Sequence, residues 1–251
     1  MIPVADFVRR STTPYVNWTL LAINVAVFVY MLALSTEATA AGDVLNKVDQ
    51  FITDYGFMPV CVSDQLGWTD ASPSVIASVC PSGDERVFTQ VFTSMFVHAG
   101  WAHIIGNMLF LWIFGDNVED RMGHLRYLLF YFICGIAAAL TQTFVSPDLA
   151  VPNVGASGAI AGVLGAYLIL YPKAWVQVVI IPLFFLPFLV PAALLIGFWF
   201  VTQLFSGLAE MGNTTAGSGV AFWAHIGGFI AGAVLVWIFK RRLPRRRFAE
   251  V

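Results

Sequence analysis

A serine stands in the stretch NVGASGAIAGVLGAY, residues 153–167, between Ala156 and Gly158 in an otherwise apolar run. A serine hydroxyl is a poor nucleophile at neutral pH and needs a base within hydrogen-bond reach to take its proton. His225, in AHIGG, lies in a second apolar run and can serve as that base in its neutral form. A third run opens with His103 and Asn107, which at i and i+4 project from one helical face. Acyl transfer also requires donors for a developing oxyanion, and His103, Asn107 and the backbone amide of Ser157, near a helix start, are suited to that task. His98 and Gly155 are accessory candidates. Taken singly, each of these residues also fits a packing role, since a buried histidine or serine is usually held by a structural hydrogen bond.

The elements that must position them are set by composition. Of 251 residues, 59% are hydrophobic and 11% charged, against about 25% charged in soluble domains. Mean hydropathy is +0.79. These values indicate a polytopic membrane protein. Apolar runs approaching the roughly 20 residues needed to cross a bilayer fall at 15–34, 101–114, 125–144, 154–171, 191–205 and 220–239. Pro182, Pro187 and Pro191 interrupt the stretch before the fifth run, so 178–190 reads as an irregular interfacial approach. The expected fold is all-α: a cytoplasmic amino terminus (1–14), a six-span bundle (15–240) with an external loop at about 35–90, and a basic cytoplasmic tail (241–251).

Lys and Arg fix the orientation, because they are retained on the cytoplasmic side. With the amino terminus inside, Arg9, Arg10, Arg121, Arg126, Lys173 and the basic tail all fall inside, whereas only Lys47 and Arg86 fall outside. Both termini are therefore expected in the cytoplasm. A competing reading takes the first run as a signal peptide cut near Ala38 to Ala40, although the run exceeds the usual signal core. The external loop is too long for a bare connector and should fold. It holds Cys61 and Cys80, a disulfide candidate on the side where such a bond persists. Cys134 is expected to pack inside the third span. A net charge of -2 offers no signal for nucleic acid.

In this topology the second, fourth and sixth spans all run inward, with His103, Asn107, Ser157 and His225 near their outer ends, at a shared depth. Ser157, Ala161 and Gly165 share one face of the fourth span; His225, Gly228 and Gly232 share one face of the sixth. Such small-residue stripes let helix backbones approach closely. No carboxylate is placed to orient His225, since Asp116 closes the inner end of the second span and Asp148 lies in an outer loop. The expectation is a dyad whose imidazole is held by helix packing alone.

The segments HAGWAHIIGN, GDNVEDRMG, GASG and AHIGG, in this order and spacing over residues 1 to about 240, resemble the rhomboid intramembrane serine proteases. The resemblance implies Ser157 as nucleophile, His225 as general base, and His103 with Asn107 as oxyanion donors. It implies substrates that are the transmembrane segments of other proteins, cut in or near the bilayer. The lipid bilayer is the other expected partner, and a bacterial plasma membrane the expected location; no cofactor or metal is expected. Where some members carry an aromatic residue that stacks on the histidine, this chain has Ala161, which leaves the buttress of His225 open. Glu119 and Arg121 read as structural. The glycine-rich segment 206–219 suits either a mobile cap or a plain connector. Rival readings are a catalytically silent rhomboid-like binder of membrane proteins, and a transporter using the same polar layer; a metal site on His98, His103 and His225 lacks an HExxH pattern.

Overall fold

Apolar runs in a bilayer become helices because each backbone group must find its partner within the segment. The computed structural model describes residues 2–35, 46–80, 85–179, 186–211 and 220–241. Its elements are β1 (Ile2–Asp6), α1 (Tyr15–Ser35), α2 (Lys47–Tyr55), α3 (Pro59–Leu66), α4 (Pro73–Val79), α5 (Glu85–Thr93), a short 3-10 turn (Ser94–Phe96), α6 (Trp101–Met122), α7 (His124–Val145), α8 (Ser157–Leu170), β2 (Trp175–Val179), β3 (Pro187–Pro191), α9 (Ala192–Met211) and α10 (Phe222–Phe239). Among the described residues, α1, α7, α9 and α10 are long and apolar enough to cross a membrane. Helix α6 joins them as a fifth when taken with Arg86–Phe96, against which it bends by 80°. Helix α8 has 14 residues, a length of about 21 Å, short of a bilayer core of about 30 Å. The architecture is a mostly helical, polytopic bundle.

Helix α8 is its axis: every residue from Gly158 to Tyr167 is buried. It can sit there because it meets α10 glycine to glycine. A methyl group on Gly228 would strike the carbonyl oxygen of Gly158, and one on Gly232 that of Gly162. Cys134 and Ala138 of α7 fill against Gly162 and Gly158 beside this contact. Cys134 is buried and carries no disulfide.

The end of the bundle that carries the strands corrects two expectations. The stretch 178–190 is not irregular where it is described: β2 and β3 pair antiparallel and β1 adds on the other side, in the order β1-β2-β3. A small sheet therefore supplements the all-helical plan. Pro187 and Pro191 are tolerated because β3 is an edge strand, where a missing donor faces no partner. Residues 180–185 lie outside the described set. Beside the sheet, the buried Glu119 carboxylate accepts the N–H groups of Val16 and Asn17 at 3.1 and 2.7 Å, satisfying from α6 donors in the first turn of α1. Asp120 accepts from Ser11 and Thr12, and Arg10 pairs with Asp116 at 2.7 Å.

At the opposite end, α2 to α5 form a folded cap closed by a Cys61–Cys80 disulfide across a separation of 19 residues, a closure worth about 3 kcal/mol in the chain-entropy picture. Phe57, Val60, Val62, Val87 and Met95 pack there against Ala139 of α7. Helix α9 runs on to Met211, so residues 206–211 are helical and not loop; 212–219 and the tail 242–251 lie outside the described residues. Helix α10 starts at Phe222, which puts His225 in its first turn, one turn earlier than the apolar run suggests.

Candidate active site

Ser157 is the first residue of α8, and the loop before it is held from two sides. Phe57 and Asn153 exchange backbone hydrogen bonds at 3.1 and 2.7 Å, and the Gly155 N–H donates to the Ser94 carbonyl at 2.8 Å. Gly155 has φ +121°, which side-chain-bearing residues rarely adopt, and a methyl there would lie 2.6 Å from Nε2 of His103. The glycine thus lets the loop turn and lets the imidazole approach. The same point is 3.7 Å from Ser157 Oγ, so His103 and Ser157 border one corner.

Across the α8–α10 contact, His225 Nε2 lies 2.8 Å from Ser157 Oγ. That separation permits direct proton transfer between them. The His98 ring is fully buried and stands edge to face with His103, centroids 5.0 Å apart. Asn107 is buried and spends one amide proton on the His103 carbonyl of its own helix at 2.9 Å, leaving the second N–H for another acceptor. A cleft of about 30 Å³, lined by Gly135, Ala138, Asn153, Gly155 and Ala224, reaches Ser157, enough for one water. Among the described residues, no group of three or more His, Cys, Asp or Glu is arranged to hold a metal ion.

Two groups that the sequence did not bring forward meet His225. The expectation that helix packing alone holds the imidazole is corrected by α9: Gln203 Oε1 lies 2.8 Å from His225 Nδ1, and Trp199, one turn earlier, sets its ring 5.8 Å from the imidazole at 38°. Ala161, by contrast, is small and buried within α8, so the groups beside the imidazole come from α9. A third group, Gln142 of α7, accepts the Ala224 N–H at 3.2 Å and ties down the first turn of α10. The signal available for Gln203 was its polarity in an apolar run, since an amide in a membrane helix requires a partner.

Comparison with known proteins bears on the whole arrangement. A family model described as a Rhomboid domain matches residues 85–242, well over half of the chain. Rhomboid-like protein 11, chloroplastic, of Arabidopsis thaliana is 34% identical over 160 residues, covering 61% of this chain and 52% of that protein. RHOMBOID-like protein 1 of the same plant is 25% identical over 233 residues, 91% of this chain and 54% of its own length. Rhomboid protease GluP of Bacillus subtilis is 42% identical over 79 residues, 32% of this chain and 15% of that protein. The chain thus spans about half the length of the plant relatives it matches. With the domain match enclosing Ser157, His225, His103 and Asn107, the chain belongs to the rhomboid family and is an integral membrane protein.

Proposed function

We propose that the chain is an intramembrane serine protease that hydrolyses peptide bonds in or near the transmembrane segments of other membrane proteins. The observation that carries this reading is the 2.8 Å contact between Ser157 Oγ and His225 Nε2. In the proposed reaction Oγ attacks the scissile carbonyl carbon while Nε2 takes its proton. The carbonyl oxygen becomes an oxyanion and receives hydrogen bonds from His103, the free N–H of Asn107 and the Ser157 backbone amide, which helix geometry leaves without an intrahelical acceptor. The imidazolium then returns the proton to the leaving amine, giving an acyl-enzyme. Water, activated by the same imidazole, attacks the ester and releases the second product.

The proposed topology has six spans, with α8 counted as a short span sheltered by its neighbours and both termini in the cytoplasm. The clustering of Arg9, Arg10, Arg121, Arg126 and Lys173 on one side supports it. Its relatives carry chloroplastic and mitochondrial names as well as a Bacillus one; a bacterial plasma membrane is the location proposed for this chain. The test is purified protein in liposomes with a panel of single-span substrates. Cleavage by the wild type, lost in Ser157→Ala and in His225→Ala, is the expected result. Cleavage that survives in Ser157→Ala would overturn the nucleophile, and a wild type that binds substrates without cutting any would favour a silent binder.

A further inference from the structure

Gln203 reaches His225 from α9, and the orientation of its amide can be decided. An amide presents a donor end and an acceptor end that look alike in shape, so the assignment must come from the surrounding partners. Here the Gln203 Nε2 group already has acceptors on its own helix, Thr202 Oγ1 at 3.2 Å and the Trp199 carbonyl at 3.5 Å. That leaves Oε1 to face His225 Nδ1 at 2.8 Å. A carbonyl oxygen only accepts, so Nδ1 must carry a proton. In a neutral imidazole the other nitrogen is then bare, and that nitrogen is the one 2.8 Å from the Ser157 hydroxyl.

We propose that Gln203 is the positioning residue of the site: by accepting the Nδ1 proton it holds His225 in the tautomer whose Nε2 lone pair faces Ser157, and it fixes the angle of the ring. The inference rests on the protease reading for its catalytic consequence, but the tautomer itself does not. Gln203 touches neither substrate nor reacting atoms and acts through His225. Its role is that of an uncharged third member. An amide orients the imidazole and supports the proton-accepting form, without the ionic stabilisation of the imidazolium that a carboxylate would add. Ala161 is consistent with this arrangement, because the support comes from α9 and none is required from α8. Trp199 confines the ring on the same side.

The experiment uses full-length protein carrying 15N-labelled histidine in nanodiscs, with the His225 side-chain signals assigned by their loss in His225→Ala. Wild type is expected to show Nδ1 protonated and Nε2 bare. Gln203→Leu, close in volume but without an acceptor, should shift His225 toward the Nε2–H form while its thermal midpoint stays near wild type. The same variant should lower kcat about tenfold, the scale of one lost orienting hydrogen bond in a dry site, with KM little changed. Gln203→Glu should restore the Nδ1–H form and move the acidic limb of the kcat/KM profile to higher pH, because a carboxylate favours the imidazolium. A wild-type His225 protonated on Nε2, or a Gln203→Leu protein with unchanged tautomer and unchanged kcat, would overturn the proposal. A wild type that cleaves nothing while its His225 is held as Nδ1–H only when Gln203 is present would sink the protease reading and leave the tautomer assignment in place.

Discussion

Helix α10 meets α8 backbone to backbone, whereas beside His225 it meets α9 through side chains. On the α8 side, Gly158 and Gly162 face Gly228 and Gly232 with no room for a methyl, and α8 is buried from Gly158 to Tyr167. On the α9 side the contact is Gln203, Trp199 and the stacked pair Phe200 and Phe229, 4.4 Å apart. The buried residues of α9 are confined to Ala192, Leu195, Ile196 and Gly207. A cavity of about 90 Å³ lies between α9 and its neighbours, lined by Phe110, Leu164, Leu195, Ile196, Trp199 and Thr202. The two contacts divide the labour: the glycine seam sets how far His225 stands from Ser157, and α9 sets which way the ring turns. A seam without side chains has no rotamers to relax, so error there passes directly to the distance between the two groups. Error on α9 passes through a hydrogen bond and a ring contact, each of limited strength.

The largest expected effect therefore comes from a single methyl in the seam. Gly228→Ala pushes α10 off the Gly158 carbonyl, and a displacement of even about 1 Å between reacting groups costs on the order of a hundredfold in rate. Liposome cleavage should fall by at least that factor, with thermal stability also reduced. Gly197→Ala on α9 adds the same methyl where nothing lies within 4 Å, and should leave cleavage unchanged. Equal losses in the two variants would erase the distinction between the contacts.

Next in size is Trp199→Ala, which removes the ring beside His225 but leaves Gln203. An aromatic contact of this kind is worth about 0.5–1.5 kcal/mol, so cleavage should drop between about two- and tenfold. Trp199→Phe should recover most of it. A hundredfold loss in Trp199→Ala would mean that α9 fixes distance as well as orientation.

The cap acts on Ser157 from further away, through the Phe57–Asn153 bridge and the Ser94 carbonyl. Reduction of Cys61–Cys80 should raise hydrogen exchange in α3 and α4 while α8 and α10 stay protected, with a loss of cleavage of only a few-fold. Exchange that rises equally in α8 would show that the seam depends on the cap.

The smallest effect is expected at the strand-bearing end, where Tyr167 of α8 donates its hydroxyl proton to Asp6 of β1 and Asn117 donates to the same carboxylate at 2.8 Å. Burial pushes the Asp6 carboxyl up to about 6, against the opposing pull of the Tyr167 hydrogen bond. A folded-state pKa above the unfolded one means that the folded protein holds the extra proton between about pH 4 and 6. Stability from this group is thus present at low pH and lost as pH rises through about 6. The thermal midpoint should fall slightly from pH 5 to 7 in the wild type, and that part of the fall should vanish in Asp6→Asn. A slope of the opposite sign in this window would contradict the burial of Asp6.

What could be read from the sequence follows from the same physics. Ser157 and His225 were legible because each is a polar residue inside an apolar run, and because small residues recur behind them at helical spacing. The folding of residues 46–80 and the nearness of Cys61 to Cys80 are legible from the length of the segment between the first two apolar runs and from the isolation of its two cysteines. The strands were not: Pro187 and Pro191 read as breaks, and only pairing with β2, set by tertiary contact, turns them into an edge. The role of Gln203 is not legible, because its partner, the Nδ1 face of His225, is fixed by how α9 packs, and no motif records that. The helical start at Phe222 and the run of α9 to Met211 show the ordinary uncertainty of an apolar boundary, which hydropathy alone does not place to the residue.

The central claim, that Ser157 is a nucleophile activated by His225, is tested most directly by covalent labelling. Purified protein treated with a serine-directed phosphonate and digested should yield one modified peptide, with the adduct on Ser157, and labelling should be lost in His225→Ala and slowed about tenfold in Gln203→Leu. Labelling of a different residue, or labelling of Ser157 at the wild-type rate without His225, would contradict it.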